Sequence, residues 1–143
     1  MFTNIKDRLD NPSVRKIMSA CVYRNSVEVA INKLSEYNLR PAWSMYGWIE
    51  DGEIVGICGF EVHQMNRIDI LHIAVAERGQ GVGSKMLDAL RELFCLTLKA
   101  ETDDDAVGFY RKYGFVTTAF RIKGVTRHIC VFDLEENNGD IYG

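Results

Sequence analysis

The sequence lacks any hydrophobic run that approaches the ~20 uninterrupted apolar residues of a membrane-spanning helix. Its first residues, MFTNIKDRLDN, contain no apolar stretch typical of a secretory signal peptide. Basic residues are not in excess either, since 17 Lys and Arg stand against 20 Asp and Glu and no basic stripe is present. We therefore expect a cytoplasmic protein with neither a membrane nor a nucleic acid as its partner.

Cysteine is scarce and forms no motif. The four cysteines, Cys21, Cys58, Cys95 and Cys130, are far apart and include no Cys-x-x-Cys pair. This spacing is typical of neither a zinc site nor a redox motif, so we expect no bound metal. Each cysteine lies in an apolar segment, which predicts four buried thiols that pack as small hydrophobic side chains.

The length fits one globular domain over residues 1–143. With 143 residues, 47% of them hydrophobic and 26% charged, a single core can bury roughly 70% of the surface that the unfolded chain exposes. No repeat, low-complexity segment or linker divides the chain. The polar segment 135–143 is predicted to fray.

Hydrophobic periodicity predicts four helices. The first starts at Pro12, and the other three span residues 26–37, 83–96 and 103–113. Segments rich in aromatic and β-branched residues predict six strands: AWSMYGWIE, EIVGICGFEVHQ, IDILHIAVA, a stretch near LTLKAET, FVTTAFRI and VTRHICVFDL. Asp51-Gly52 and Lys123-Gly124 mark two hairpin turns, and MNR marks another turn. The order ααβββαβαββ predicts a mixed α/β sheet with helices on both faces.

The segment that carries chemistry lies between the third strand and the third helix. It reads Arg78-Gly79-Gln80-Gly81-Val82-Gly83-Ser84. Three alternating glycines let backbone N–H groups approach a ligand, and the positive end of the following helix favours a phosphate or pyrophosphate. A tight turn without a ligand is the structural alternative. The spacing matches neither the dinucleotide fingerprint nor Walker A, in which Lys follows the last glycine directly.

Two motifs resemble those of the GNAT N-acetyltransferase superfamily. Arg78, Gly81 and Gly83 are similar to its acyl-CoA loop, Arg/Gln-x-x-Gly-x-Gly/Ala at the end of a strand. Downstream, the family's Asn-x-x-Ala-x-x-x-Tyr-x-x-x-Gly-Phe segment is matched by Ala106, Tyr110, Gly114 and Phe115. Asp103 stands where the family commonly has asparagine, and we expect it to cap the fourth helix. The resemblance in element order extends from about residue 11 to residue 133.

The resemblance implies a GNAT-like, mostly antiparallel twisted sheet whose central strands, one ending at Val75 and one near Leu98, splay apart to admit the pantetheine of acetyl-CoA. It implies backbone contacts from Ile73 and Val75 to that arm. It implies that the main chain from Arg78 to Ser84 holds the pyrophosphate, through Arg78, Gly79, Gln80, Gly81, Val82, Gly83 and Ser84. The Tyr110 hydroxyl is expected to point at the thioester sulfur. Only Ala76 and Glu77 separate Val75 from Arg78, which predicts a tightened loop.

The strand that ends at Val75 also contains the predicted general base. Asp69 precedes Val75 by six residues, so strand alternation puts both on one face. The resemblance to GNAT enzymes, several of which place a Glu or His there as the general base, implies that role for Asp69. A solvated residue at the strand end is the alternative for Asp69. His63, Glu61 or a water molecule are further candidates for the base. His72 lies on the opposite face and is expected to pack under a helix with its nitrogens hydrogen-bonded.

The predicted function is transfer of an acetyl group from acetyl-CoA directly to a primary amine of a small molecule or peptide. A non-catalytic acyl-CoA-binding module is the alternative, and a nucleotide-binding domain is a third interpretation. The first two helices and the opening hairpins are expected to form the acceptor site, where Trp43, Tyr46 and Trp48 line a pocket or belong to an aromatic core. The sequence leaves monomer and homodimer open.

Overall fold

The computed structural model describes residues 1–64 and 66–134. Seven strands and four α-helices lie in these residues, with two short 3₁₀ turns at Lys6–Arg8 and Tyr23–Asn25. The elements follow in the order β1 (Phe2–Asn4), α1 (Pro12–Ser19), α2 (Val27–Leu39), β2 (Trp43–Glu50), β3 (Glu53–His63), β4 (Arg67–Val75), α3 (Val82–Phe94), β5 (Thr97–Thr102), α4 (Val107–Tyr113), β6 (Val116–Ile122) and β7 (Val125–Phe132).

The strands form one sheet in the order β1-β2-β3-β4-β5-β7-β6. The pairs β1–β2, β2–β3, β5–β7 and β6–β7 are antiparallel, whereas β4 and β5 are parallel. In the described residues this parallel pairing runs from Arg67 and Thr97 only as far as Ile70 and Ala100. Both strands continue beyond that point, to Val75 and Thr102. The predicted mixed, mostly antiparallel sheet is therefore confirmed.

The first of two compact units comprises Met1–Glu61 and Leu71–Leu90. Its core lies between the first two helices and strands β2 and β3, with Val14, Met18, Ala30, Leu34 and Met45 among its buried side chains. Both helices begin as predicted. Asn11 accepts hydrogen bonds from the backbone N–H groups of Ser13 and Val14 before a proline in the first turn, and Ser26 accepts one from Val29.

The second unit comprises Val62–Ile70 and the chain from Arg91 onward. Its core is aromatic: the ring of Phe132 lies 5.4 Å from that of Tyr113 and 5.6 Å from that of Phe115, between centroids. The guanidinium of Arg91 lies 4.5 Å from the centroid of the same Phe132 ring. These contacts join α3, α4 and the terminal hairpin within the unit.

Several local predictions were wrong. Strand β1 was not predicted, because three residues are too few for a periodic signal. Helix α3 ends at Phe94 rather than near Leu96, since Cys95 has a φ of +53°. Helix α4 begins only at Val107, and the Asp103 carboxylate accepts a hydrogen bond from the Ala106 N–H in the turn before it. Cys21 and Cys95 are exposed, although Cys58 and Cys130 are buried as expected.

Two further predictions fall partly or wholly outside the described residues, namely the turn that includes Met65 and the terminal segment 135–143. In residues 1–64 and 66–134, no helix combines the length and hydropathy that crossing a membrane requires.

Candidate active site

The glycine-rich loop connects the end of β4 at Val75 to the start of α3 at Val82. Gly79 has a φ of +83° and Gly81 a φ of +75°. A Cβ atom added at either position would meet no other atom within 4 Å. Glycine is therefore required here by the left-handed backbone and not by lack of space.

The N-terminus of α3 presents unpaired backbone donors to the loop. The first helical hydrogen bond of this turn runs from the Lys85 N–H to the Gly81 carbonyl, at 3.1 Å. The N–H groups of Val82, Gly83 and Ser84 belong to the first turn and have no carbonyl within the helix to bind. With the positive end of the helix dipole and the exposed Arg78 nearby in sequence, this arrangement suits an anionic phosphate group.

Gly56 on β3 determines how closely α3 approaches the sheet. A Cβ atom there would lie 2.8 Å from a methyl carbon of Val82 and 3.0 Å from the terminal carbon of Met86. The backbone of the loop is also held to β3, because the Ala76 N–H donates to the Val55 carbonyl at 2.8 Å. The short Val75–Arg78 connection is thus fixed at one end by the sheet and at the other by the packed first turn of α3.

Ile73 and Val75, the predicted contacts of the pantetheine arm, lie in the last part of β4. This part follows Ile70, where the described pairing with β5 ends. Both side chains are half-buried. Their strand therefore continues beyond the described part of the parallel ladder.

Tyr110 lies in the second unit on α4 and is 5% exposed. Its ring centroid lies 5.2 Å from that of Phe109 and 5.1 Å from that of Phe115, both at steep interplanar angles. Its carbonyl accepts from the N–H groups of Gly114 and Phe115, so the C-terminal turn of the helix holds the same residue. These contacts fix the orientation of the ring.

Asp69 also lies in the second unit and is engaged in an ion pair. The Nε of Arg67 donates to Asp69 Oδ1 at 2.9 Å, and a second guanidinium nitrogen lies 3.5 Å from Oδ2. Both side chains are partly buried. A carboxylate in this position is oriented by its cation, so a base role requires that the free lone pairs face the acceptor.

The other polar candidates occupy separate environments. Glu61 and His63 are half-buried near the end of β3, with Glu61 in the first unit and His63 in the second. His128 is buried and its Nε2 lies 2.6 Å from Asp104 Oδ1. His72 packs against α2 as predicted, and its Nδ1 lies 2.7 Å from the Tyr37 hydroxyl.

The three aromatic residues considered for the acceptor pocket do not form one cluster. Trp43 packs against Tyr37 on α2, with ring centroids 5.1 Å apart. Tyr46 instead contacts Phe2, whose ring centroid lies 5.1 Å away. Trp48 donates a hydrogen bond from its Nε1 to Glu50 at 3.1 Å, and this bond, ahead of the nearby Lys85 charge, lowers the pKa of Glu50. All three side chains are half-buried, and Tyr46 and Trp48 share the contact with Phe2, whose ring centroid lies 6.4 Å from that of Trp48.

Comparison with known proteins agrees with this arrangement. The sequence model of the acetyltransferase (GNAT) domain family matches residues 42–117, more than half of the chain. The chain belongs to the GNAT acetyltransferase family. As a member of this family it is an acetyl-CoA-dependent N-acetyltransferase, with acetyl-CoA as co-substrate.

Relatives of this GNAT protein act on different acceptors. A blasticidin-S acetyltransferase from Streptomyces morookaense is 29% identical over 117 residues, which covers 73% of this chain and 86% of the relative. The structure of an aminoglycoside 6′-N-acetyltransferase complexed with coenzyme A is similar with a TM-score of 0.72, at 13% identity, covering 94% of this chain and 97% of the other. The ribosomal-protein-S18-alanine N-acetyltransferase from Escherichia coli has a TM-score of 0.71 at 16% identity, covering 94% and 93%.

Proposed function

We propose that this GNAT protein acetylates a primary amine of a small molecule by direct transfer from acetyl-CoA, without an acetylated enzyme intermediate. The observation that carries the cofactor half of the proposal is the loop at the N-terminus of α3. Its two left-handed glycines, Gly79 and Gly81, turn the backbone so that first-turn N–H groups are open to a diphosphate. The acceptor half rests on the blasticidin-S acetyltransferase relative.

In this proposal the main chain from Arg78 to Ser84 binds the pyrophosphate, and the backbone of Ile73 and Val75 binds the pantetheine arm. The exposed guanidinium of Arg78 adds a full positive charge to the partial charges of the N–H groups. The first turn of α3, anchored by the buried Val82 against Gly56, keeps these donors in fixed positions. Binding therefore depends on backbone geometry more than on any one side chain.

Acetyl transfer requires a neutral amine and a stabilised leaving group. An alkylamine with a pKa near 10.4 lies about three units above neutral pH, so deprotonating it costs roughly 4 kcal/mol. We assign this task to Asp69, oriented by Arg67, with Glu61, His63 or a water as the competing bases. Tyr110 is assigned to hydrogen-bond the departing thiolate, since its ring is held rigidly by two neighbouring aromatic rings.

The remaining features of the proposal concern location and partners. A formal charge of −3 suits a cationic amine and not a polyanion, which supports a small cationic acceptor and argues against nucleic acid. We place the protein in the cytoplasm, with acetyl-CoA and the amine as its partners. Light scattering on the same samples distinguishes a monomer from a homodimer.

The test has two stages. Thermal unfolding is first measured with acetyl-CoA, CoA and ATP, and a ligand at about 100 times its Kd should stabilise the fold by about 2.7 kcal/mol. Stabilisation by ATP alone would contradict the cofactor assignment. Mass spectrometry then follows acetylation of blasticidin S, kanamycin, spermidine and a peptide that begins with alanine.

Each outcome of the second stage has a meaning. Acetylation of blasticidin S or kanamycin supports the proposal, whereas a preference for the peptide would move the acceptor to protein N-termini. Binding of acetyl-CoA with no turnover of any amine would favour the non-catalytic acyl-CoA-binding module.

A further inference from the structure

The sheet ends on one side in a long edge strand. Its order places β1 at one end and β6 at the other. Strand β1 has three residues, whereas β6 has seven, Val116–Ile122. Natural sheets protect their edges with short strands, prolines, bulges or charges, because an open edge can pair with another strand. Strand β6 pairs with β7 without a bulge, contains no proline and has Arg121 as its one charged residue, so it lacks most of these protections.

The backbone of β6 directs alternate N–H and C=O groups to this edge. Its connection to β7 is a two-residue turn, Lys123-Gly124, with φ values of +51° and +80°. A turn of this type is closed by a hydrogen bond from the Val125 N–H to the Ile122 carbonyl, so these two residues form a hydrogen-bonded pair. Opposite residues of an antiparallel ladder alternate between bonded and unbonded pairs. The outward backbone groups of β6 are therefore those of Thr117, Ala119 and Arg121.

The side chains of these three residues leave room for a partner strand. The Arg121 guanidinium donates to the Thr126 hydroxyl at 3.1 Å and to a carbonyl of the turn at 2.8 Å. The Thr117 hydroxyl accepts from Arg111 Nε, on α4, at 2.9 Å. Ala119 is exposed and has only a methyl group. The two polar side chains are thus engaged within the second unit, and the third is small.

The two faces of the β6–β7 hairpin differ in what covers them. Helix α4 lies against one face, where Tyr113 contacts Phe132 and Arg111 binds Thr117. The side chains of the opposite face, called the open face, alternate with these. They are Val116, Thr118, Phe120 and Ile122 of β6 and Val125, Arg127, Ile129 and Val131 of β7. Among them, Val116, Ile122 and Val125 are 66%, 52% and 56% exposed, so apolar side chains of the open face reach the edge.

The edge is complementary to itself in its backbone groups. When two copies of β6 run antiparallel and are centred on Ala119, each outward residue faces an outward residue of the other copy. Ala119 then meets Ala119, and Thr117 meets Arg121, so each outward N–H finds a carbonyl. A shift by one residue would set outward groups against inward ones, and a shift by two would leave the strand ends unpaired. One register therefore satisfies the whole edge.

The same register also matches the apolar side chains. It places Val116 beside Ile122 of the other copy on the open face. Within each hairpin Val116 already lies beside Val131, and Ile122 beside Val125. Four apolar side chains therefore form one row across the two hairpins, and the two-fold axis repeats the row in the opposite direction.

We propose that a second copy of this chain docks on the outer edge of β6, antiparallel and centred on Ala119, so that the two sheets become continuous. A second copy is the occupant because the edge is complementary to itself in both its backbone groups and its apolar side chains. The proposal does not depend on the acetyl-transfer function proposed above. Seven residues from each copy make a small interface, at or below the ~1,200 Å² where stable complexes begin, so the dimer should dissociate at micromolar concentrations.

The first experiment follows the association of the full chain by sedimentation equilibrium. From low to high micromolar concentration the average mass should rise from that of one chain towards that of two. Ala119→Pro removes an outward N–H and keeps the ladder with β7, so it should weaken the dimer about tenfold. Leu39→Lys is the control for added charge, because it changes an exposed apolar side chain on α2, and it should dimerise like the wild type.

The second experiment tests the register by mixing two charged variants. Val116→Lys and Ile122→Glu each put a charge into the apolar row, and each should weaken the dimer about tenfold. In a mixed dimer the new lysine lies beside the new glutamate in one row, and the other row keeps its wild-type side chains. The mixture should therefore associate about threefold more tightly than either variant alone. A mixture of Leu39→Lys with Ile122→Glu should show no gain from charge pairing.

Three results would overturn the proposal. The first is a protein that stays monomeric at every concentration. The second is a dimer that Ala119→Pro, Val116→Lys and Ile122→Glu all leave unchanged, because it then uses another surface. The third is a mixture of the charged variants that associates no better than its components, which refutes the register. Since Val116 and Ile122 are more than half exposed, their variants should fold, and circular dichroism checks this for each sample.

Discussion

Gly56 provides a direct test of the link between sheet packing and cofactor binding. In Gly56→Ala the new Cβ would lie 2.8 Å from a Val82 methyl carbon and 3.0 Å from the end of Met86. Met86 is flexible and can rotate away, but Val82 is stiff at χ1 and stands in the first turn of α3. Since carbon atoms pack at about 3.5–4.0 Å, the start of α3 must move by roughly 0.7–1.2 Å.

The displacement should reduce both stability and acetyl-CoA affinity. Overpacking of this kind costs about 1–3 kcal/mol, which corresponds to a fall in melting temperature of roughly 3–12 °C at this chain length. Misplaced N–H groups of Val82, Gly83 and Ser84 should weaken acetyl-CoA binding about tenfold, equivalent to about one hydrogen bond. Calorimetric unfolding and isothermal titration with acetyl-CoA measure the two effects on the same sample.

The matched control is Gly108→Ala, the same chemical change in the first turn of α4. A Cβ at Gly108 meets nothing within 4 Å, and alanine is favoured over glycine in a helix by about 1 kcal/mol. This variant should be more stable and bind acetyl-CoA normally. If Gly56→Ala loses stability but binds acetyl-CoA as tightly as the wild type, the approach of α3 to β3 does not position the phosphate-binding loop, and the reasoning is refuted.

Three further predictions concern single side chains. Gly81→Ala should cost about 1–2 kcal/mol of stability and weaken acetyl-CoA binding, because a φ of +75° strains any residue with a Cβ. Gly81→Asn should lose less stability, since Asn tolerates this conformation better. Thermal unfolding with and without acetyl-CoA measures the stability and the binding. Tyr110→Phe should lower kcat at least about tenfold with little change in acetyl-CoA affinity, and equal losses in both would indicate packing. Burial lowers the pKa of His72, which means that the unfolded chain binds its proton first, so this residue's contribution to stability is complete above pH 6.5 and falls below it. His72→Gln should therefore reduce the loss of stability on acidification, and an unchanged pH profile would contradict this.

The sequence predicted the elements that carry strong local signals. Asn11-Pro12 and Ser26 cap the first two helices, and both residues of the Asp51-Gly52 turn have positive φ values, as a tight hairpin requires. The glycine loop was predicted at the correct junction because a strand period changes to a helix period across Arg78–Ser84. These features depend on neighbours within a few residues, which a single sequence records.

Other features were not predicted, and those of Tyr37 and Gly59 depend on distant partners. Asp103 satisfies the usual criteria for an N-cap, yet three more residues form a turn before α4 begins at Val107. Tyr37 was predicted as part of an amphipathic helix, but nothing in residues 26–37 indicates that its hydroxyl meets a histidine 35 positions away. The contact of Gly59 with Tyr37 was not predicted either. The residues around a strand glycine look the same whether the glycine makes room for another side chain or only weakens the strand.

Strand β3 links these observations, because its two buried glycines admit side chains from opposite directions. Gly56 accommodates Val82 and Met86 of α3, and Gly59 accommodates the Tyr37 hydroxyl of α2. Residues three apart on a strand point to opposite faces, so one strand sets the position of the phosphate-binding helix and, through Tyr37, that of the His72 imidazole. Neither glycine belongs to a GNAT motif considered above. The motif residues supply the N–H groups that bind the cofactor, but where those groups lie is determined by how closely the helices approach this strand, and only glycine permits that approach at both positions.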